Sequence, residues 1–161
     1  MSSQNRTAQN RTAQNRTAQN QISQNKTSQN YPIAQLPGLS PDQVQQLSDC
    51  GISTTFELLR RGNSTEQRRQ LSTQLNTNLK YINKWTALAN LARIPGVGCQ
   101  HCGLLLHAGV STPQQLSTMT VQKLHPQLVR LQVQLLRRAD LAPNAAQVAT
   151  WIRQAQAMAR Q

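Results

Sequence analysis

The sequence predicts an all-α fold in which two tandem helical units pack as one domain behind a disordered, low-complexity tail. Three observations predict it. First, two stretches superpose without gaps at a shift of 58 residues. Leu36-Pro37-Gly38-Leu39-Ser40-Pro41 and Leu47-Ser48-Asp49-Cys50-Gly51-Ile52-Ser53-Thr54 fall on Ile94-Pro95-Gly96-Val97-Gly98-Cys99 and Leu105-Leu106-His107-Ala108-Gly109-Val110-Ser111-Thr112, self-similarity of the kind that marks a repeated structural unit. Second, helix-capping residues recur at the edges of these stretches. Third, aromatic residues make up 3% of the chain, so a core rests on Leu, Ile, Val and Ala, a composition that favours helices over sheets.

The elements follow in order. From Gln4 to Asn30 the dipeptide Gln-Asn recurs every fifth residue, at 4, 9, 14, 19, 24 and 29, a period that fits neither helix nor strand. Ile22 is the segment's one aliphatic residue besides alanine, and its charges are all positive: Arg6, Arg11, Arg16 and Lys26. It buries too little surface to offset the entropy of ordering, so 1–30 reads as a disordered basic arm. It either adds affinity for a polyanion or is the silent product of repeat slippage. Its Asn-Arg-Thr and Asn-Lys-Thr triplets fit a glycosylation acceptor, which carries no weight without an export signal.

After Tyr31-Pro32 the first unit, 31–93, begins. Ser40-Pro41-Asp42-Gln43 offers an N-cap, a proline for the first turn and a capping-box glutamine, opening a helix over 41–50 that Gly51 closes. Thr54 with Glu57 opens a second helix over 54–61, ended by Gly62, and two more are expected at 65–75 and 78–92. The second unit, 94–161, repeats the plan with helices at 99–108, 113–119, 122–139 and 144–159. Leu75, Ile82 and Trp85 match Leu141, Val148 and Trp151 at a shift of 66 rather than 58. The second copy therefore carries about eight extra residues, and the longer helix is expected between Leu124 and Asp140.

Composition bounds the function. The 161 residues hold 17 Lys+Arg against 5 Asp+Glu, a net charge of +12 with three cysteines. No run approaches the roughly 18 apolar residues of a membrane span, and the opening lacks a secretory signal. The odd cysteine count fits a reducing compartment, so a cytoplasmic location is expected. Five acids are few for carboxylate catalysis or a magnesium site, and Walker, GxSxG and HExxH patterns are absent from the sequence. A non-enzymatic protein without a cofactor is expected.

The arm's four charges removed from +12 leave +8 on the rest. At 100° per residue, 122–139 places Leu124, Leu128, Leu131 and Leu135 on one strip and Val129, Val133 and Leu136 on its neighbour, predicting a wide buried arc. Lys123, Gln127, Arg130, Gln134, Arg137 and Arg138 share the opposite face without an acid. A second basic group, Arg60, Arg61, Arg68 and Arg69, straddles Gly62, while Lys80, Lys84 and Arg93 lie on another helix. Such faces suit a phosphate backbone, whose neutralisation releases counterions. They are also what a solvated helix face looks like.

Cys99-Gln100-His101-Cys102 has one CxxC and no second pair, a weak zinc signal; Cys102 and Cys50 fall at small packing positions, and no metal is expected. Cys99 stands at a helix start, where a thiol pKa is lowered, and is the reactive candidate if exposed. His101, His107 and His125 lack a sequence-local catalytic partner. Trp85 and Trp151 occupy equivalent places and are expected to anchor each unit's last helix.

Ile94-Pro95-Gly96-Val97-Gly98, followed by Cys102, Leu104 and Leu105, resembles the helix-hairpin-helix motif, and Leu36-Pro37-Gly38-Leu39-Ser40 is a weaker copy. With Arg93, Leu104 to Thr112 and Ala142-Pro143-Asn144, the pattern over about 36–159 resembles the bacterial family called domain of unknown function 4332. The resemblance implies such units throughout. The wider motif class binds duplex backbone without reading sequence, through hairpin amides that the following helix's dipole reinforces. Carried onto this chain, that role falls to Gly96, Val97 and Gly98. The motif's usual first-turn cations are replaced here by Cys99-Gln100-His101, and the first copy has Ser40 and Asp42.

The expected function is sequence-nonspecific binding of nucleic-acid backbone through Gly96, Val97 and Gly98 and through Arg130, Arg137, Arg138, Arg60, Arg61, Arg68 and Arg69. The rival is a protein–protein adaptor whose basic helical face docks on an acidic partner, with both hairpins serving as structural corners.

Overall fold

The computed structural model describes residues 28–137 and 142–159. The tail through Thr27, expected to be disordered, and Arg138 lie outside the described residues. Among the described residues there are eight α-helices and no strand: α1 Pro41–Asp49, α2 Thr55–Arg61, α3 Thr65–Leu75, α4 Leu79–Ala92, α5 Gly98–His107, α6 Pro113–Ser117, α7 Val121–Leu136 and α8 Ala145–Ala159. α1, α2 and α6 start at the caps Ser40, Thr54 and Thr112, whereas α5 and α7 begin without a side-chain cap. Ser40 accepts from the amide of Gln43 while Gln43 bonds back to the Ser40 amide, and Ser64 with Gln67 repeats this box on α3, so orphan N–H groups are satisfied at both starts.

The duplication is visible bond by bond. Oε2 of Glu57 accepts from the Ser53 amide and hydroxyl, and at a shift of 58 Oε1 of Gln115 accepts from the Ser111 amide and hydroxyl. The amide of Ile52 donates to the Leu47 carbonyl at 2.9 Å and that of Val110 to Leu105 at 3.0 Å. The glycine between, Gly51 or Gly109, adopts φ of +84° or +87°, a left-handed conformation that glycine takes without a Cβ penalty.

In each unit the last helix is the hub. α4 packs on α2 and α3, α8 packs on α6 and α7, and α4 meets α5 to join the halves. Trp85, Leu88, Ala89 and Leu91 on α4 and Val148, Trp151, Ile152 and Ala155 on α8 are buried in a continuous core with Leu47, Leu58, Leu105 and Leu116. The expected anchoring by tryptophan holds at both places, because each indole carries a large apolar area into the centre of its unit.

Two features differ from expectation. Ser28–Asn30 belong to the fold rather than to the arm. The amide of Gln29 donates to the Arg93 carbonyl, Asn30 Oδ1 accepts from the amide of Phe56 at 3.0 Å, and Tyr31 exchanges backbone and side-chain bonds with Thr55. A short 3-10 turn, Ile33–Gln35, follows and buries Ile33. The second difference is on α7. It is the longer helix, 16 residues against 11 in α3, yet its apolar arc is only half covered. Leu124 and Leu128 are fully buried, whereas Val133 and Leu135 are 42% and 51% exposed and Gln132 is 8% exposed. α7 packs on α5 and α8, and which of its apolar side chains they cover is set by that packing, which a helical-wheel argument cannot foresee.

Candidate functional site

The glycine turn at 94–98 is built from inside. Ile94 and Val97 are buried, the amides of Val97 and Gly98 both donate to the Ile94 carbonyl at 3.0 and 3.1 Å, and the amide of Gly96 donates to Gln154 Oε1 on α8 at 2.8 Å. The three N–H groups that the sequence offered to a phosphate thus all have partners within the chain. A Cβ built on Gly96 would come 2.7 Å from Cδ1 of Trp151, so this glycine exists for close approach to the indole. The His101 ring packs on the same tryptophan at 4.9 Å between centroids, and burial lowers its pKa from the ordinary histidine value, which favours the neutral ring.

The first-copy turn is different. Gly38 adopts φ +82° and lies beside Lys84, whose Nζ would be 3.6 Å from a Cβ at that position. Its neighbours Pro37 and Ser40 are exposed. The turn that is the weaker match in sequence is therefore the open one, with a cation at its side.

The arginines divide by what they touch. Arg61 Nη1 donates to the Cys50 carbonyl at 2.9 Å, capping α1; in the second copy Gln127 Nε2 caps the equivalent Ala108 carbonyl at 3.0 Å. Arg68 reaches three acceptors, Asn83 Oδ1, the Gly62 carbonyl and Thr65 Oγ1. These two guanidiniums hold helix ends together. Arg60, Arg69, Arg130 and Arg137 are exposed, as are Lys80, Lys84 and Lys123; Arg137 closes α7 in a left-handed conformation, φ +52°. Arg130 and Arg137 thus sit on α7 with Lys123, while Arg60 and Arg69 lie on separate helices. Of the acids, Asp49 accepts from the Gln45 side-chain amide and Glu57 from Ser53, so neither carboxylate bond is to an arginine. No acid occurs in the sequence between Glu66 and Asp140.

Cys99 and Cys102 sit in a desolvated setting. Cys102 is buried and Cys99 half-buried. Burial pushes the Cys99 thiol up to about 11 and the Cys102 thiol to about 12, so desolvation outweighs the helix start that was expected to activate Cys99. Among the described residues no group of three or more His, Cys, Asp or Glu side chains is placed to hold a metal. No described helix is long and apolar enough to cross a membrane.

One constellation was missed in the sequence. A groove of about 650 Å³ is lined by Ser28, Asn30, Phe56, Arg60, Asn63 and Arg93, among others. Phe56 and Arg60 lie one turn apart on α2 at i and i+4, a legible pattern, and Asn63 follows just past the end of that helix. Ser28 and Arg93 are 65 residues apart, and only the fold brings them together. Arg93 donates from Nε and Nη2 to Ser28 Oγ at 3.2 and 3.1 Å.

The model of the family described as Domain of unknown function (DUF4332) matches residues 37–158, most of the chain. No curated protein and no solved structure matches.

Proposed function

The chain belongs to the DUF4332 family, whose description names no activity, and from that premise we propose that it is a non-enzymatic binding module for the phosphate backbone of nucleic acid. One observation carries the reading. Over the 73 residues between Glu66 and Asp140 there is no acid, while Arg69, Lys80, Lys84, Lys123, Arg130 and Arg137 from that stretch stand exposed. A solvated surface ordinarily mixes both signs, and one sign without the other gives a field suited to a polyanion. The contacts would be side-chain cations, with the open turn at Gly38 and Lys84 replacing Gly96 to Gly98. Contacts of this type position a protein on a duplex without reading its bases.

The test is anisotropy of a labelled mixed-sequence duplex with the full chain, titrated from about 50 to 200 mM salt, a range over which several phosphate contacts change affinity by orders of magnitude. The expected result is binding whose log affinity falls steeply with log salt. The triple change Lys123→Gln, Arg130→Gln, Arg137→Gln should flatten that slope by about 3, near 0.9 for each phosphate no longer neutralised. An unbound duplex at the lowest salt overturns the proposal.

The adaptor reading is favoured by one observation of its own: Val133 and Leu135 are exposed on the same helix as Arg130 and Arg137, an apolar and basic mixture that fits an acidic protein surface. It takes precedence if the duplex does not bind.

A further inference from the structure

We propose that the groove between α2 and the Ser28–Asn30 segment is a binding site for a nucleoside 5′-phosphate, either a mononucleotide or the phosphorylated end of a strand. This site is separate from the basic face of α7 and stands independently of the duplex-backbone reading.

The lining supplies each of the three groups such a ligand needs. Two guanidiniums, Arg60 and Arg93, line the groove from different elements. Arg93 is held in place by Ser28 Oγ and by Asn90 Oδ1, which accepts from Nη1 at 2.8 Å. It is half-buried, and guanidinium keeps its charge under such desolvation, so it offers a fixed cation rather than a flexible one. Phe56 leaves 38% of its surface exposed, one helical turn from Arg60. Residues so spaced have Cβ atoms about 5 to 6 Å apart, comparable with the distance from a base to its own 5′-phosphate. A base stacked on the ring therefore brings its phosphate towards Arg60, in the groove that Arg93 also lines. Asn30 and Asn63 add amides, the groups that pair with base edges. The Asn30 oxygen is engaged by the Phe56 amide and by Thr55 Oγ1 at 3.3 Å, which leaves its NH2 as the donor to a ligand.

The one acid of the lining, Glu57, has Oε2 tied to the Ser53 amide and hydroxyl at the start of α2. The volume falls within the range of small-molecule sites, about 300 to 1,000 Å³.

The experiment compares two decathymidylates, each carrying fluorescein at the 3′ end, one with a 5′-phosphate and one with a 5′-hydroxyl, titrated with the full chain. The phosphorylated strand is expected to bind about tenfold tighter, as befits charge-assisted bonds from two arginines. Arg60→Gln should bring the two strands to within about twofold, and Phe56→Ser should weaken the phosphorylated strand by a similar factor to the phosphate itself. Both residues are exposed, and thermal melts of the variants check that the fold is kept. Displacement of the strand by thymidine 5′-monophosphate assigns the site to a free nucleotide; retention assigns it to a strand end. Equal affinity for the two strands overturns the proposal, as does a preference that survives both substitutions. Duplex binding is measured in parallel with Arg60→Gln, so a failed groove and a failed backbone reading give different patterns.

Discussion

The backbone N–H of Gly96 donates to Oε1 of Gln154 at 2.8 Å across 58 residues of sequence. The bond clamps the second glycine turn onto the last helix, beside the indole of Trp151. The equivalent glycine of the first copy, Gly38, faces Lys84 instead and takes φ +82°. Two turns of common pattern have thus come to different uses: one has its glycine-turn amides bonded within the chain, the other has a cation beside its glycine.

This relationship makes Gly96 irreplaceable for a steric reason. A Cβ would stand 2.7 Å from Trp151 Cδ1 and 2.8 Å from Gln154 Oε1, and Trp151 is buried. Gly96→Ala is expected to cost about 1 to 3 kcal/mol, the usual penalty of overpacking. Gly103→Ala is the control. There the Cβ meets Pro37 Cγ at an ordinary 3.5 Å inside α5, so alanine should add about 0.5 to 1 kcal/mol by helix propensity. Urea midpoints of opposite sign relative to the parent are the expected outcome; an unchanged midpoint for Gly96→Ala would show that the indole moves.

Arg68 and Arg69 are neighbours with different duties. Arg68 donates to three neutral acceptors on two helices and the turn between α2 and α3, whereas the Arg69 side chain is exposed. Arg68→Gln is expected to destabilise by about 1 to 2 kcal/mol, the net value of a few hydrogen bonds from a charged donor with allowance for solvent. Arg69→Gln should stay within about 0.5 kcal/mol. Because the acceptors are uncharged, the gap between the two should persist in high salt, and a gap that closes with salt would mean that charge rather than bonding is responsible.

The sequence carried the helices because their signals are local: Ser40 with Gln43, Thr54 with Glu57 and Thr112 with Gln115 each set a helix start within four residues. The duplication supplied the pairing of elements, and the changed register between Leu75 and Leu141 located the longer α7. What could not be read were facts that depend on distant chain. Whether an amide is open or bonded depends on Gln154 for Gly96, and whether an arginine is free to meet a ligand or clamps the fold depends on Cys50 for Arg61 and Asn83 for Arg68. Val133 and Leu135 have core character by periodicity but stand exposed. The groove was hidden for the same reason, since Ser28 sits in a repeat that reads as tail until its bond to Arg93 is seen.

The alkaline limb of stability follows from a cluster at the joint between the units. The Tyr31 hydroxyl lies by Gly98, 3.0 Å from where a Cβ would be, and burial raises its pKa, with Cys99 and Cys102 raising it further. Burial also holds the Cys99 thiol at about 11 and the Cys102 thiol at about 12, against 9.0 for an ordinary cysteine. All three groups are neutral when protonated, so the folded state keeps protons that the unfolded chain releases. Their stability contribution is complete below the unfolded values and is lost as pH rises from 9 through 11 to 12. Melting temperature should therefore be flat between pH 7 and 8.5 and fall above pH 9. The fall should be shallower in Cys102→Ala, which removes one of the three groups while Tyr31 and Cys99 remain. Alkylation at pH 8 should modify Cys99 and Cys102 at least about tenfold more slowly in the native chain than in urea, because the thiolate is the nucleophile. A melting temperature that holds level to pH 10.5, or equal alkylation rates in the two states, would show that these thiols are not desolvated, and the packing of Tyr31 against the second glycine turn would then have to be looser than the structure has it.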